Sequence, residues 1–465
     1  MTDFTAVILA AGAGTRMKSN TPKVLHKICG VPMLAHVINC ARTAGASKIV
    51  VVIGNGADEV KDTFKDQDIE FVLQEEQKGT GHALMQAQQA VKESSRVLVM
   101  YGDMPLVKAK SIQDMVNFHE ENGATATVMT TIMEDPTGYG RIIKQGDKVV
   151  AIREEKDATP EEKRICEINS GFYFFDKEAA FEALNRVENQ NRQGEYYLTD
   201  VVEIISSKGK DVLAYKMDDA TELNGVNDRR QLAFAQSIMQ KRIIEHWMSE
   251  GVTFLNPETS VVDINVNIGK DTIIYPGAIL EGRTNIGECC TIIGSSRIVD
   301  SNIGNNVQIV MSQILESTVS DDVKIGPFAN LRPNCNISSK VKIGDFVELK
   351  NAKVGEGSKV PHLTYVGDAV IGKKVNIGCG TVFVNYDGYK KHQTVIEDGA
   401  FVGCNSNLVA PVTVKTNSYV AAGSTITRDV PENSLAVARA RQEIKNGWVS
   451  ELRKKLEGGL LKNEE

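Results

Sequence analysis

The chain has 465 residues, of which 42% are hydrophobic and 24% charged, the balance of a folded protein with about two to four domains. Lysine and arginine total 53 against 60 acidic residues, a formal charge of −7. That excludes a general basic field, so no nucleic-acid partner is expected and any anionic substrate must be held by a few placed cations.

The first element is an apolar strand, Ala6–Ala10, running into Ala11-Gly12-Ala13-Gly14-Thr15-Arg16-Met17-Lys18. It is too short for a signal-peptide core and lacks a basic lead. Strand-like runs follow at Lys48–Ile53, Val97–Tyr101, Ala126–Thr131 and Gly171–Phe175, alternating with helical patterns that are clearest in His82–Val91 and Lys110–Glu121. This alternation predicts an α/β domain with a largely parallel sheet over residues 1–227. Residues 228–250 read as one amphipathic boundary helix, with Leu232, Ala235, Ile238, Met239, Ile243, His246 and Trp247 at three- and four-residue steps. Asn227 and Asp228 suit its start and Gly251 its end. No stretch approaches the roughly 18 apolar residues of a membrane-spanning helix, and no membrane partner is expected.

From residue 251 the period changes to six. Aliphatic residues fall at Val262, Ile268, Ile274, Leu280, Ile286, Ile292 and Ile298, then at Val319, Ile325, Leu331, Ile337, Ile343 and Leu349, and last at Ile396, Val402, Leu408, Val414, Val420 and Ile426. Glycine often follows, as in Ile268-Gly269 and Val402-Gly403. The repeat predicts a parallel β-helix over 251–438, each short strand pointing one aliphatic side chain inward and glycine easing the tight corners. The period breaks across Phe383–Thr394, a polar, turn-rich insertion of the kind that carries sites on rigid scaffolds. It is lost again from Arg439, which predicts an arm or short helix over 439–465 with a frayed end, GGLLKNEE.

The eight cysteines form no CxxC pair and no Cys/His metal spacing. Adjacent Cys289 and Cys290 read as small buried thiols, and a reducing cytoplasm is the expected setting. Among seven histidines, His36, His119 and His246 sit in helical patterns and read as structural.

Glycines after a buried strand let backbone N–H groups approach phosphate oxygens. The dinucleotide fingerprint wants a third glycine where Met17 stands, and the Walker pattern is absent. Arg16 and Lys23 lie within eleven residues of Gly12 and suit a substrate with several phosphates, whose leaving group must be neutralised. Spacing alone leaves open a tight strand-to-helix turn with solvated charges.

The run LAAGAGTRMKSNTPKVLH resembles the opening signature of the sugar-nucleotide pyrophosphorylases, and YGDMPL at Tyr101–Leu106 resembles their metal-binding strand end. With a hexapeptide domain carrying HLTYVGDA and NYDG, the chain from Ala6 to Trp448 resembles the bacterial bifunctional N-acetylglucosamine-1-phosphate uridylyltransferase/glucosamine-1-phosphate acetyltransferases. The resemblance implies a Rossmann-like nucleotidyltransferase domain followed by a left-handed parallel β-helix, an exception to the right-handed crossover rule. It implies acetylation of glucosamine 1-phosphate by acetyl-CoA, then uridylyl transfer from UTP to give UDP-N-acetylglucosamine, a cell-envelope precursor, and pyrophosphate. A homotrimer with acetyl-CoA between neighbouring subunits is likewise implied.

Carried over by motif, the nucleotide lies on Leu9, Ala10, Ala11 and Gly12, with Arg16 and Lys23 as catalytic cations and Gln74, Gly79 and Thr80 at the uracil. Tyr101 and Gly102 join the substrate site, Asp103 and Asn227 match Mg²⁺ ligands, and Gly140, Glu154 and Asn169 match sugar contacts. Taken singly, Asp103 also reads as a strand-end turn residue and Asn227 as a helix cap. In the second half His362 matches the catalytic histidine, an imidazole able to take the amine proton near neutral pH. Arg332 and Lys350 match phosphate contacts, Tyr365, Asn376, Asn385 and Tyr386 the sugar set, and Cys379, Asn385, Tyr386, Cys404, Ala422 and Arg439 the acetyl-CoA set. Alanine at 379 and serine at 404 are common in the family, so the two cysteines are departures; nothing nearby marks either as a nucleophile.

Two other readings compete. A nucleotidyltransferase with a purely structural β-helix needs no Arg332, Lys350, His362 and NYDG set, and a non-catalytic scaffold predicts loss of Arg16, Lys23 or Asp103.

Overall fold

A computed structural model describes residues 3–460, with side chains as far as Glu457. The chain forms two compact units: one reaches His246 and takes in Val262–Asn265, the other takes Trp247–Val261 and continues from Val266.

The first unit is built on a nine-stranded sheet. Its order is Glu70–Leu73, Lys48–Ile53, Phe4–Ala10, Arg96–Tyr101, Glu167–Asp176, Ala126–Ile132, Val212–Lys216, Lys148–Arg153 and Arg141–Gln145. The side that begins at Glu70 is parallel as far as Arg96–Tyr101. The long Glu167–Asp176 strand then runs antiparallel to both neighbours, so the sheet is mixed where parallel pairing was expected. Because both faces are covered, the central parallel strands are near-continuous apolar runs. Val7, Leu9, Val50, Val52, Val97 and Val99 pack one face; Ala6, Ile8, Val51, Ile53, Leu98 and Met100 pack the other. The helix from Thr80 ends at Gln86 rather than Val91, where Ala87 and Gln88 bond back three residues, to Leu84 and Met85. Asp228 caps the Arg229–Ser249 helix by accepting from the N–H groups of Arg230 and Gln231, each at 2.9 Å.

The second unit is a left-handed parallel β-helix of hexapeptide repeats. Ile274 pairs with Ile292, eighteen residues on, which is three hexapeptides per coil. Every aliphatic residue of the six-step series is 4% exposed or less, and each contributes about 1.5–3 kcal/mol by burial. Most of the glycines that directly follow the inward aliphatic residue, Gly326 excepted, do not take a left-handed corner. A Cβ on Gly378 would stand 2.5 Å from Cys404 N in the next coil, so the need is for space between stacked coils. The left-handed corners are held by other glycines, such as Gly380, Gly399 and Gly423, and by such residues as Asp271, Asn306 and Asn405. Cys290 is buried, but Cys289 takes one of these corners (φ 57°) and is exposed, contrary to the sequence reading.

The insertion is shorter than its composition suggested. Phe383 keeps the six-residue step from Ile377 and is fully buried in Val382–Val384, and Thr394 opens the next strand, leaving 385–393 outside the coil. The Arg439 segment carries a helix, Trp448–Leu460; of the expected frayed end, Leu461–Glu465 lie outside the described residues.

Candidate active sites

In the first unit, parallel pairing of Phe4–Ala10 with Lys48–Ile53 and Arg96–Tyr101 delivers the Ala10–Gly12 turn and Tyr101–Asp103 to the same sheet edge. Open α/β sheets bind ligands there, beyond the carboxyl ends of the strands. A cavity of about 280 Å³ opens at that edge, lined by Leu9, Ala10, Ala11, Gly12, Lys23, Gln74, Gly79, Thr80, Tyr101 and Asp103. A second, of about 500 Å³, is lined by Arg16, Tyr101, Asp103, Gly140, Glu154, Asn169 and Asn227. Tyr101 and Asp103 line both, so the two cavities adjoin. Gly102 backs the wall, its N–H donating to Leu9 O at 2.9 Å. Gln77, Glu195 and Tyr139 also line these cavities and were not singled out in the sequence.

Local geometry fixes this lining. Gly79 has φ 108°, and a Cβ there would lie 2.6 Å from Tyr196 O. The buried Gln74 amide donates to Gly79 O at 3.2 Å and meets His82 Nδ1 at 3.0 Å, so His82 serves the wall. Burial pushes the Tyr101 phenol up and keeps it neutral, while a hydrogen bond to Thr80 opposes the shift. On the other side Asn169 N donates to Gly140 O at 2.9 Å, and Asn169 Nδ2 to Tyr173 Oη at 2.7 Å. Burial raises the Glu154 carboxyl above its ordinary range, partly offset by a 3.3 Å bond from the Thr199 hydroxyl.

The cations meet the oxygens where the cavities join. Lys23 Nζ donates to Asp103 Oδ2 and, at 3.2 Å, to Asn227 Oδ1; Arg16 Nη2 reaches Asn227 Oδ1 at 2.9 Å. Val226 N donates to Asp103 O at 2.8 Å, tying the segment that carries Asn227 to the strand end. Asn227 thus faces the site while Asp228 does the capping. Among the described residues, no group of three or more His, Cys, Asp or Glu could hold a metal ion.

In the second unit, Arg332, Lys350 and Tyr365 sit on neighbouring coils, Leu349 pairing with Val366 and Arg332 N donating to Leu349 O at 2.9 Å. The 385–393 excursion adds Lys391, which bridges Tyr386. Lys391 was missed in the sequence, yet its ammonium is the main cause that pushes the Lys350 ammonium below the usual lysine range, with the Arg332 guanidinium a smaller contributor. Asp387 pins the excursion: its carboxylate accepts from Lys390 N, His392 Nε2 and Tyr389 N and is held down at about 2. Asn385, nearly buried, donates to Asp368 Oδ2 at 2.5 Å.

His362 is not packed in hydrocarbon: its side chain is 50% exposed, and Nδ1 lies 2.5 Å from Asp345 Oδ1. That hydrogen bond holds the Asp345 carboxyl below its usual range. Asp345 pairs with His362 in the ladder, seventeen residues earlier, a spacing that marks it once the coil length is known. Continuing the registers Lys359–Asn376, Ile377–Val402 and Val402–Val420 places His362, Cys379, Cys404 and Ala422 in one column on consecutive coils. Arg439 stands at its far end, with Cδ 3.9 Å from a Cβ built on Gly423. Asn376 lies apart from the cations, between Lys359 and Phe401 on the adjoining strand face.

Residues 6–192 match the MobA-like NTP transferase domain family. The Bifunctional protein GlmU of Alkaliphilus metalliredigens (strain QYMF) is 50% identical over 446 residues, 96% of this chain and 98% of that protein. Its namesake from Listeria monocytogenes serotype 4a (strain HCC23) is 51% identical over 449 residues, again 96% and 98%. That of Acetivibrio thermocellus is 50% identical over 461 residues, 99% of this chain and 98% of the relative. A solved UDP-glucose pyrophosphorylase complexed with UDP-glucose is similar with a TM-score of 0.43 and 18% identity, covering 52% of this chain and 100% of that one. With half its residues shared along nearly its whole length, the chain belongs to the bifunctional GlmU family.

Proposed function

We propose that the two sites work in sequence on one sugar phosphate. The protein is a bifunctional acetyl- and uridylyltransferase: it acetylates glucosamine 1-phosphate with acetyl-CoA, then joins the product to UMP from UTP, releasing pyrophosphate. The observation that carries the two-site reading is the second cluster. A coil stack with only a structural task has no use for cations gathered at Lys350, Lys391 and Arg332, nor for a histidine oriented by a carboxylate.

At the first site a phosphate oxygen of N-acetylglucosamine 1-phosphate attacks the α-phosphorus of UTP in line, and the bond to the β-phosphate oxygen breaks. Positioning and charge suffice for such a transfer. Leu9, Ala10, Ala11, Gln74, Gly79, Thr80 and Gly102 hold the nucleotide, and Gly140, Glu154 and Asn169 the sugar. A Cβ on Gly12 would meet no protein atom within 4 Å, so the space before the turn is left to phosphate. Arg16 and Lys23 neutralise the leaving pyrophosphate.

Asp103 Oδ2 and Asn227 Oδ1 already face one ammonium. Two oxygen donors converging on one cation fit Mg²⁺, which takes few protein ligands and leaves its other positions to phosphate and water. Those two residues would hold it, and when bound it supplies charge neutralisation between the phosphates.

At the second site Arg332, Lys350 and Lys391 hold the sugar phosphate, and Tyr365, Asn385 and Tyr386 orient the sugar. The Asp345 contact keeps Nδ1–H on His362 as donor and leaves Nε2 to accept. Nε2 takes a proton from the 2-amine as nitrogen bonds the thioester carbon; the carbon–sulfur bond then breaks, and CoA leaves as its thiol after that proton returns. Cys379, Cys404, Ala422 and Arg439, with Asn385 and Tyr386, contact acetyl-CoA along the column. Losing one charge-assisted bond costs about 1.5–3 kcal/mol, so Lys391→Ala should raise KM for glucosamine 1-phosphate by about 10–100-fold, with kcat little changed. An unaltered KM in steady-state assays removes Lys391 from the site.

A homotrimer in the cytoplasm completes the reading. Met311, Phe328, Phe346 and Leu363 form an exposed apolar ridge, 42–58% exposed, on consecutive coils directly beside His362. Such a ridge supports burial against another copy. Among the described residues no helix is long and apolar enough to cross a membrane. Purified protein given glucosamine 1-phosphate, acetyl-CoA, UTP and Mg²⁺ should yield CoA, pyrophosphate and UDP-N-acetylglucosamine. Pyrophosphate release only from pre-acetylated substrate would leave the β-helix without its reaction.

A further inference from the structure

Four of the eight cysteines are buried, and burial pushes the thiols of Cys29 and Cys40 up to about 12. Cys379 is half-buried and Cys404 exposed. They are neighbours in the His362 column. This column brings side chains of adjacent coils into contact, since Asp345 and His362, two coils and one coil before Cys379, meet at 2.5 Å. Backbone bonds lock the two cysteine corners together: Gly378 N donates to Val402 O, and Asn405 N to Cys379 O, both at 2.7 Å. Paired parallel strands stand about 4.8 Å apart, within the Cα separation of about 4.4–6.8 Å that a disulfide spans.

We propose that Cys379 and Cys404 form a reversible disulfide across adjacent coils, a modification site that stops acetyl transfer and leaves uridylyl transfer running. The oxidant is a low-molecular-weight disulfide. Cys404, the more accessible thiol, loses its proton and attacks one sulfur of that disulfide; the sulfur–sulfur bond breaks and one small thiolate leaves. Cys379, likewise deprotonated, attacks the Cys404 sulfur and expels the second thiolate. The two protons released by the cysteines neutralise the two leaving thiolates, so two protein thiols are oxidised and one small disulfide is reduced to two thiols. Disulfides in a reducing cytoplasm are typically transient and redox-sensing. The consequence for activity rests on the functional reading above, in which acetyl-CoA lies along this column between His362 and Arg439: a bridged pair moves the wall against which the thioester sits.

The test uses full-length protein and glutathione disulfide. Free thiols are counted after denaturation, and linkages are mapped on peptides digested without reductant. One Cys379–Cys404 linked peptide should appear, distinct on the map from any glutathione adduct at the exposed Cys166 and Cys289. CoA release should fall by about 10²-fold, the loss expected from displacing a reacting group by about an ångström. Pyrophosphate release should hold, and dithiothreitol should restore CoA release. Cys379→Ala and Cys404→Ser, each compared with its own reduced rate, should lose the response.

Absence of the linked peptide overturns the proposal, as does a linked peptide with undiminished CoA release, or equal inhibition of either single variant. The peptide map reads the bond whatever the activity. If the reduced wild-type protein releases no CoA at all, it is the acetyltransferase reading that fails instead.

Discussion

The His362→Ala protein is expected to release CoA from acetyl-CoA and glucosamine 1-phosphate about 10²–10⁴-fold more slowly than wild type, the range a positioned general base contributes. Pyrophosphate release from UTP and N-acetylglucosamine 1-phosphate should be unchanged. The substitution removes a half-exposed side chain whose ring contact is to Asp345, so the buried aliphatic column beneath it stays intact. Asp345→Asn separates orientation from base strength. It retains an oxygen acceptor for Nδ1–H but removes the charge that stabilises the imidazolium formed in the transition state, so CoA release should fall less than with His362→Ala. Loss of both reactions in folded His362→Ala protein would mean that the sites are not separate.

What could be read in the sequence follows from how each feature is encoded. The Lys48–Ile53 strand was legible because burial on both faces leaves an unbroken β-branched run, and it is observed with the same ends. The six-residue step was legible because the inward positions of each run, between Val262 and Ile426, carry the same aliphatic kind of side chain. Phe383 was assigned to the insertion because a polar run begins two residues after it, at Asn385, yet its fully buried ring keeps the phase. The antiparallel Glu167–Asp176 strand was harder, since strand direction leaves no mark on apolar content. Motif resemblance supplied the residues that now line the two N-terminal cavities, whereas Lys391 and Asp345 lay outside any motif. Both reach their partners only through coil geometry: Asp345 is one coil from His362, and Lys391 returns on an excursion across the face that carries Lys350.

Asp103→Ala should have the opposite effect, lowering pyrophosphate release by about 10²–10³-fold, the loss typical of removing one preorganised charge-stabilising group. CoA release should persist. The Asp103 side chain is only 18% exposed and its partner Lys23 13%. Truncation therefore removes an oxygen donor and also leaves a poorly hydrated ammonium without its carboxylate. Asp103→Asn distinguishes these effects, because an amide keeps an oxygen donor and the shape of the side chain while losing the charge. If Asp103 serves to gather a hard cation with Asn227, the asparagine variant should regain pyrophosphate release at raised Mg²⁺ concentration, and Asp103→Ala should regain far less. If its task is only to hold Lys23, neither variant should respond to Mg²⁺, and Lys23→Ala should reproduce the Asp103→Ala defect without adding to it. Thermal unfolding of each variant provides the necessary control. A lowered first transition with CoA release intact would place the damage in the nucleotidyltransferase unit, whereas an unshifted melt with lost pyrophosphate release assigns the effect to chemistry at the strand end.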